Sequence, residues 1–302
     1  MRRAALPLAA AGSALALAAV PTLSVERDGR WHTWWRQDSA PVAWEAALPE
    51  VAGAVAWEAA GPGVELGTLR ISGAGEAWRI RVIAVRLDPA RLSLRLAAPP
   101  PGRGAPNRWT VDHAPADAVL ALNAGQFGSG GAWGWVVRGG IERQRPGTGP
   151  LAPAIVVDSA GRLRIVPPDS IPAVRAAGTA VEAFQSYPMI LEGEGAIPSA
   201  IRDAGAGVDL EHRDARLAIG ELRDGRVLLA LTRFEGLGGV LESLPFGLTT
   251  PEMAAVMGAL GARRAVLLDG GISSQLLVRT PAGERAWRGM RYVPLGLTAM
   301  RR

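Results

Sequence analysis

Asp269 stands at the end of an apolar run, Ala265–Leu268, and is followed by Gly270, Gly271, Ile272, Ser273 and Ser274 before a second apolar run, Gln275–Val278. This is the pattern of a buried strand, a tight polar elbow and another strand. An acid is thereby placed at the mouth of a core strand. The paired glycines allow positive φ and close approach of a ligand, and two hydroxyls follow within reach of whatever the acid faces. The same letters also read as an ordinary Asp-Gly hairpin turn. Two further stretches deliver polar groups in the same way. Ala118–Asn123 is an apolar strand that ends in an amide and runs into Ala124, Gly125, Gln126, Phe127 and Gly128. Arg216 opens the apolar run Leu217–Ile219, and a guanidinium there can fork onto a phosphate or a carboxylate. Each has a structural reading too: Asn123 as a turn cap, Arg216 as the ion-pair partner of Asp214 or Asp269, and Ser273 and Ser274 as satisfying backbone groups.

The elements around these residues read mostly as strands. Ile80–Leu87 and Leu92–Leu96 alternate and predict a hairpin across Asp88–Ala90. Hairpins are also predicted around Arg138-Gly139-Gly140, around Asp158–Gly161 and around Asp224-Gly225. One strong helix is predicted over 248–261. Thr249 or Thr250 caps it, Pro251 and Glu252 suit its first turn, Met253, Val256, Met257 and Leu260 share a face, and Gly261 ends it. The expected fold class is α+β, with a mixed, largely antiparallel sheet and few helices.

The composition narrows the chemistry. The chain has 302 residues, no cysteine, and 33 basic residues that are all arginine. Thiol nucleophiles, disulfides, lysine Schiff bases and the lysine-ended phosphate loop are therefore excluded. The arginines alternate with acids and apolar residues instead of forming blocks, which argues against a nucleic-acid partner. His113 and His212 have no ligand-type spacing, and no cofactor is implied; a hard divalent cation held by carboxylates and carbonyls of the glycine loops stays open.

Residues 1–20 have two arginines followed by an alanine-rich apolar stretch, the layout of a signal peptide or N-terminal anchor. The chain is expected to be exported: periplasmic, extracellular or membrane-anchored, with membrane contact only through this segment. Residues 21–63 carry Trp31, Trp34, Trp35, Trp44 and Trp57 with little periodicity. They are expected to form an irregular extension whose aromatics pack on the main domain, 64–302, or line a sugar-binding edge.

The order of these pieces resembles the phosphodiester glycosidase family. The resemblance rests on Asn123-Ala124-Gly125-Gln126-Phe127, on Arg216-Leu217-Ala218-Ile219-Gly220, on Asp224-Gly225-Arg226, on Leu248-Thr249-Thr250-Pro251-Glu252, and on Leu268-Asp269-Gly270-Gly271-Ile272-Ser273-Ser274. It covers roughly Trp78 to the C-terminus. Three positions depart from the family pattern: Gln126 replaces an aromatic, Leu217 a threonine and Ile272 a third glycine. Bulk at 272 is expected to narrow the elbow, and loss of the hydroxyl at 217 removes a ligand contact.

The resemblance implies an exported hydrolase that cleaves the glycosidic C–O bond of a sugar-1-phosphodiester in envelope or extracellular glycans. Phosphate is already a good leaving group, so a carboxylate, a cation and neutral donors suffice. It implies Asp269 as the catalytic carboxylate, Arg216 as the phosphate fork and Asn123 as the group that orients the sugar or the carboxylate. Gly125, Gln126, Gly270, Gly271, Ser273 and Ser274 would contact substrate. Glu235 is a lesser candidate for a partner acid and reads equally as a surface-loop acid. The competing reading is a non-catalytic module of the same fold that binds an envelope polysaccharide or a partner through the tryptophan-rich segment. The sugar, the aglycone and the oligomeric state are not specified by the sequence.

Overall fold

In the computed structural model, residues 20–99, 108–203, 207–236, 242 and 244–302 are described. The expected signal or anchor therefore lies, but for Val20, outside the described residues. Strands dominate, and every strand pairing among the described residues is antiparallel.

Leu217–Leu222 and Val227–Phe234 are buried at every position. Their largely apolar sequences, broken only by Glu221, Thr232 and Arg233, mark them as central strands covered on both faces. They lie inside a nine-stranded sheet ordered Met189–Leu191, Ala262–Leu267, Leu217–Leu222, Val227–Phe234, Ile80–Leu87, Val64–Ser72, Thr22–Arg27 and Arg30–Arg36, with Ala56–Gly61 also paired to Val64–Ser72. Beside a small two-stranded ribbon of Phe127–Gly128 and Gly131–Ala132, two five-stranded sheets complete the fold. One runs Ile141–Gln144, Val136–Arg138, Ala180–Gln185, Ala154–Asp158 and Leu163–Val166; the other runs Gly283–Trp287, Leu276–Thr280, Ala118–Asn123, Gly296–Arg301 and Leu92–Ala97.

The main core is enclosed by all three large sheets, with Leu66, Val85, Leu229, Leu120, Leu297, Ile155 and Phe184 among its members. Each large aliphatic side chain buried there contributes roughly 1.5–3 kcal/mol. A second core fills the other face of the nine-stranded sheet, where the helix Thr250–Ala259 packs. That helix begins as its sequence predicts: Glu252 N donates to Thr249 Oγ1 and Thr249 N donates to Glu252 Oε2 at 2.9 Å. It is buried on nearly every side instead of on one face, because the N-terminal segment covers its back. Gly258 makes room there, since a Cβ would lie 2.2 Å from the indole of Trp44.

Three expectations are corrected. The tryptophan-rich segment is not irregular: Thr22–Arg27, Arg30–Arg36 and Ala56–Gly61 are strands of the large sheet. Ile80–Leu87 and Leu92–Ala97 do not pair as a hairpin; the corner at Asp88 passes the chain from the large sheet to a five-stranded one. The Asp269 elbow does the same, since Ala262–Leu267 and Leu276–Thr280 belong to different sheets. A hairpin turn would point outward, whereas an elbow between sheets lies where their ends converge.

Candidate active site

Asn123 ends its strand fully buried. Its Nδ2 donates to the backbone carbonyl of Asp269 at 2.8 Å and to that of Ala124 at 3.3 Å, and its Oδ1 accepts from Gln275 N at 2.8 Å. The amide is a clasp across two strand ends. The expected contact between Asn123 and a sugar is corrected, because its donors and its acceptor are engaged inside the protein. Gly125 leaves no space for a side chain: a Cβ would stand 2.2 Å from the carbonyl of Gln185. Gln126 is likewise turned inward. Its Oε1 accepts from Ser186 Oγ and Tyr187 N, each at 2.9 Å, and its Nε2 donates to Tyr187 O.

The elbow itself is set by close backbone approach. A Cβ on Gly270 would lie 2.7 Å from Ala215 O. Gly271 has φ of +58° and donates its N–H to the same carbonyl at 2.7 Å. Ser274 is buried and donates from Oγ to Gly271 O at 2.8 Å. It also receives Arg233, whose Nη1 donates to Ser274 Oγ at 2.9 Å and whose Nη2 donates to Ser274 O at 2.6 Å. Ser274 therefore braces the turn and does not face a ligand. Ser273 turns its hydroxyl to Asp269.

Asp269 keeps one buried carboxylate oxygen, Oδ2, without a protein partner. Burial holds its pKa above the usual aspartate range; the Ser273 hydroxyl and the charge of Arg291 pull it down, and the nearby Asp214 pushes it up. Asp214 is itself raised by burial, against the pull of Arg216. Asp214 is thus one of the charges that Asp269 feels, after burial, Ser273 and Arg291.

Arg216 serves Asp214 and not Asp269. Its Nε donates to Leu248 O at 2.8 Å and its Nη2 to His212 O at 2.5 Å, and burial lowers its pKa against the charge of Asp214. The phosphate-fork role expected of Arg216 is weakened, since two of its three nitrogens are committed to carbonyls. Asp214 is fixed from the other side by its neighbour Arg213, which forks onto the fully buried Glu252 at 2.6 and 2.8 Å. Glu235 is not brought to the elbow. It pairs with Arg70 at 2.9 Å near the end of the large sheet.

Reading the sequence did not bring Asp214, Arg233 or Arg291 to the elbow, where the structure places them. Asp214 carried a usable signal, because in an extended chain it shares a face with Arg216 two residues on. Arg291 carried none. It arrives on a loop docked by Met290 N to Ile272 O at 2.7 Å, and its guanidinium lies 4.8 Å over the ring of Phe127. Phe127 then borders a cleft of about 440 Å³ walled by Trp133 and Tyr187. The Ile272 side chain does not seal the elbow; it is 41% exposed, beside the exposed Met290.

The antiparallel sheets thus gather two acids and an arginine near an aromatic cleft. The phosphodiester glycosidase family model matches residues 116–299, and the chain belongs to that family, as a hydrolase of the glycosidase type. The catalytic domain of zebrafish N-acetylglucosamine-1-phosphodiester alpha-N-acetylglucosaminidase, auto-inhibited by its pro-peptide, is similar in structure. It shares 17% identity at a TM-score of 0.62 over 85% of this chain and 87% of that one. A hypothetical protein from Synechocystis is similar at a TM-score of 0.52, with 17% identity over 82% of this chain and 64% of that one. No curated protein matches the chain in sequence. Among the described residues, no helix is long and apolar enough to cross a membrane.

Proposed function

We propose that the protein is an exported hydrolase that cleaves the glycosidic C–O bond of a sugar-1-phosphodiester in envelope or extracellular glycans. The observation that carries this reading is the carboxylate of Asp269, with Oδ2 buried and unpartnered beside Arg291 and Asp214. Such an oxygen is available to a water or to the positive charge that develops at an anomeric carbon. Arg291 neutralises the departing phosphate, and Asp214, whose charge reaches Asp269, is the partner acid. The cleft of Phe127, Trp133 and Tyr187 receives the sugar ring. Export is supported by the basic and apolar start of the sequence.

The first probe is an N-acetylglucosamine-1-phosphodiester, the chemistry named for the zebrafish relative. Turnover is expected in the wild type and loss of about 10²-fold or more in Asp269→Asn. Undiminished turnover by that variant removes Asp269 from the chemistry.

A further inference from the structure

Of the ten tryptophans in the chain, only Trp31 and Trp78 are exposed, at 48% and 51%, and both line one cleft of about 540 Å³. The cleft lies at the end of the large sheet, distinct from the one lined by Phe127, Trp133 and Tyr187. Its volume falls in the range of roughly 300–1,000 Å³ common for small-molecule sites.

Trp31 sits on Arg30–Arg36, directly across from Glu26 on the neighbouring strand. Trp78 follows the turn Gly75–Ala77 and meets Phe234 edge to face at 5.4 Å, and Phe234 is held the same way by Phe246 at 5.5 Å. The indole is therefore fixed while half of it stays in water. Indoles held in solvent at a walled cleft are stacking surfaces.

The polar lining is balanced in charge. Arg70 forks onto Glu235 at 2.9 and 3.3 Å and reaches Glu26 at 3.4 Å, while Arg79 lies 5.6 Å over the ring of Trp78. Exposed pairs of this kind add little to stability. They do present carboxylate lone pairs and guanidinium N–H groups at fixed positions, and two arginines against two glutamates leave no net charge to attract an anion. That combination suits a neutral ligand rich in hydroxyls. Trp31, Glu26, Arg70, Trp78 and Arg79 all precede the residues matched by the family model, whereas Glu235 lies within them. The cleft is joined to the elbow. Glu235 is two residues beyond Arg233, and Gly75 lies against Arg213, the neighbour of Asp214.

We propose that this cleft is a second carbohydrate site, which binds a neutral pyranose unit by stacking on Trp31 and Trp78 and by hydroxyl contacts to Arg70, Glu26 and Glu235. It does not depend on the hydrolase reading, since binding can be measured in Asp269→Asn. Pyranoses with all-equatorial substituents offer the flat face that an indole accepts, so the probes are cellohexaose and chitohexaose. Titration of the full chain by calorimetry, with tryptophan fluorescence in parallel, is expected to show binding of at least one of them. Trp31→Ala and Trp78→Ala, each checked for native circular dichroism, should weaken it at least about tenfold. Asp269→Asn should leave it unchanged. Absence of binding by both probes at millimolar concentration overturns the proposal, as does binding that survives removal of both tryptophans. Preference for a sulfated oligosaccharide that needs Arg70 and Arg79 but neither indole assigns the cleft to an anion and overturns it equally.

Discussion

Asp214 lays its carboxylate against the bare α-carbon of Gly271, two residues past Asp269, so closely that a Cβ there would stand 2.7 Å from Oδ2 and 3.0 Å from Oδ1. The two acids of the site are thus spaced by an absent side chain. Gly271→Ala meets this obstacle and also the φ of +58°, which an L-residue adopts at a penalty of roughly 1–2 kcal/mol. Asp214 must move. Displacement of a reacting group by about 1 Å can lower a rate by about 10²-fold, and a fall of that order in kcat/KM is expected in the phosphodiester assay. A variant with full activity would show that the spacing of the acids does not matter.

The charges that reach Asp269 predict opposite pH effects from two substitutions. Asp214 pushes the Asp269 pKa up and Arg291 pulls it down. With ionised Asp269 as the working form, kcat/KM rises with pH as Asp269 deprotonates. Asp214→Asn should shift this acidic limb to lower pH, and Arg291→Gln should shift it to higher pH. Parallel movement of both limbs, or none, would place the titration elsewhere.

Asp269 also weighs on stability. Its pKa is raised in the folded chain by burial, so the folded state holds a proton that the unfolded chain releases near pH 4. Relative to neutral pH, stability is therefore fully present below about pH 4 and is lost as pH rises through the folded-state value. Asp269→Asn removes the charge and with it this slope. The variant should melt higher than wild type at pH 7 and should show no advantage at pH 3.5. Calorimetric melting across that range checks the sign.

Arg233 offers a further test. It is buried at the end of a strand, burial brings its pKa down to about 10, and it remains charged at pH 7 while forking onto Ser274. A lysine has a single ammonium and cannot hold Oγ and the carbonyl with the same planar fork. Arg233→Lys should lower thermal stability by roughly 1–3 kcal/mol and reduce kcat, because Ser274 holds Gly271 O. Retention of both values would mean that the elbow is braced from elsewhere.

Much of this was legible in the sequence because local patterns settled it. The helix over 248–261 announced itself by its threonine cap, Pro251 and Glu252, and the hairpin of 217–222 with 227–234 by two apolar runs around Asp224-Gly225. Which strands pair was not legible where the connection is a short corner. Asp88 and the Asp269 elbow both look like hairpin turns in one dimension and both prove to be crossings between sheets. The same limit governed the site. Asn123 meets the backbone of Asp269 and Arg216 stands by Asp214, yet the amide and most of the guanidinium are spent on backbone carbonyls. The charge that Asp269 feels comes from Arg291, on an irregular loop whose sequence carries no periodic signal.

The role of Asn123 can be separated from that of a ligand contact by a change of one atom. Asn123→Asp keeps the shape of the side chain but points a carboxylate oxygen at two carbonyls, those of Asp269 and Ala124, at a site with no exposure. Ionised, it is repelled; breaking a buried polar arrangement so that a charge stays unpaired is worth roughly 3–5 kcal/mol. Protonated, it can donate one O–H and restore part of the clasp. The folded-state pKa of the new acid is thus raised above its unfolded value, so the variant should be most stable below about pH 4 and lose stability as pH rises through the folded value. Its melting temperature should approach that of wild type at low pH and fall well below it at pH 7. In the assay, kcat should drop with the displaced Asp269 while KM changes little, because the amide does not reach the cleft. A rise in KM with kcat and melting unchanged would instead put Asn123 in contact with the sugar.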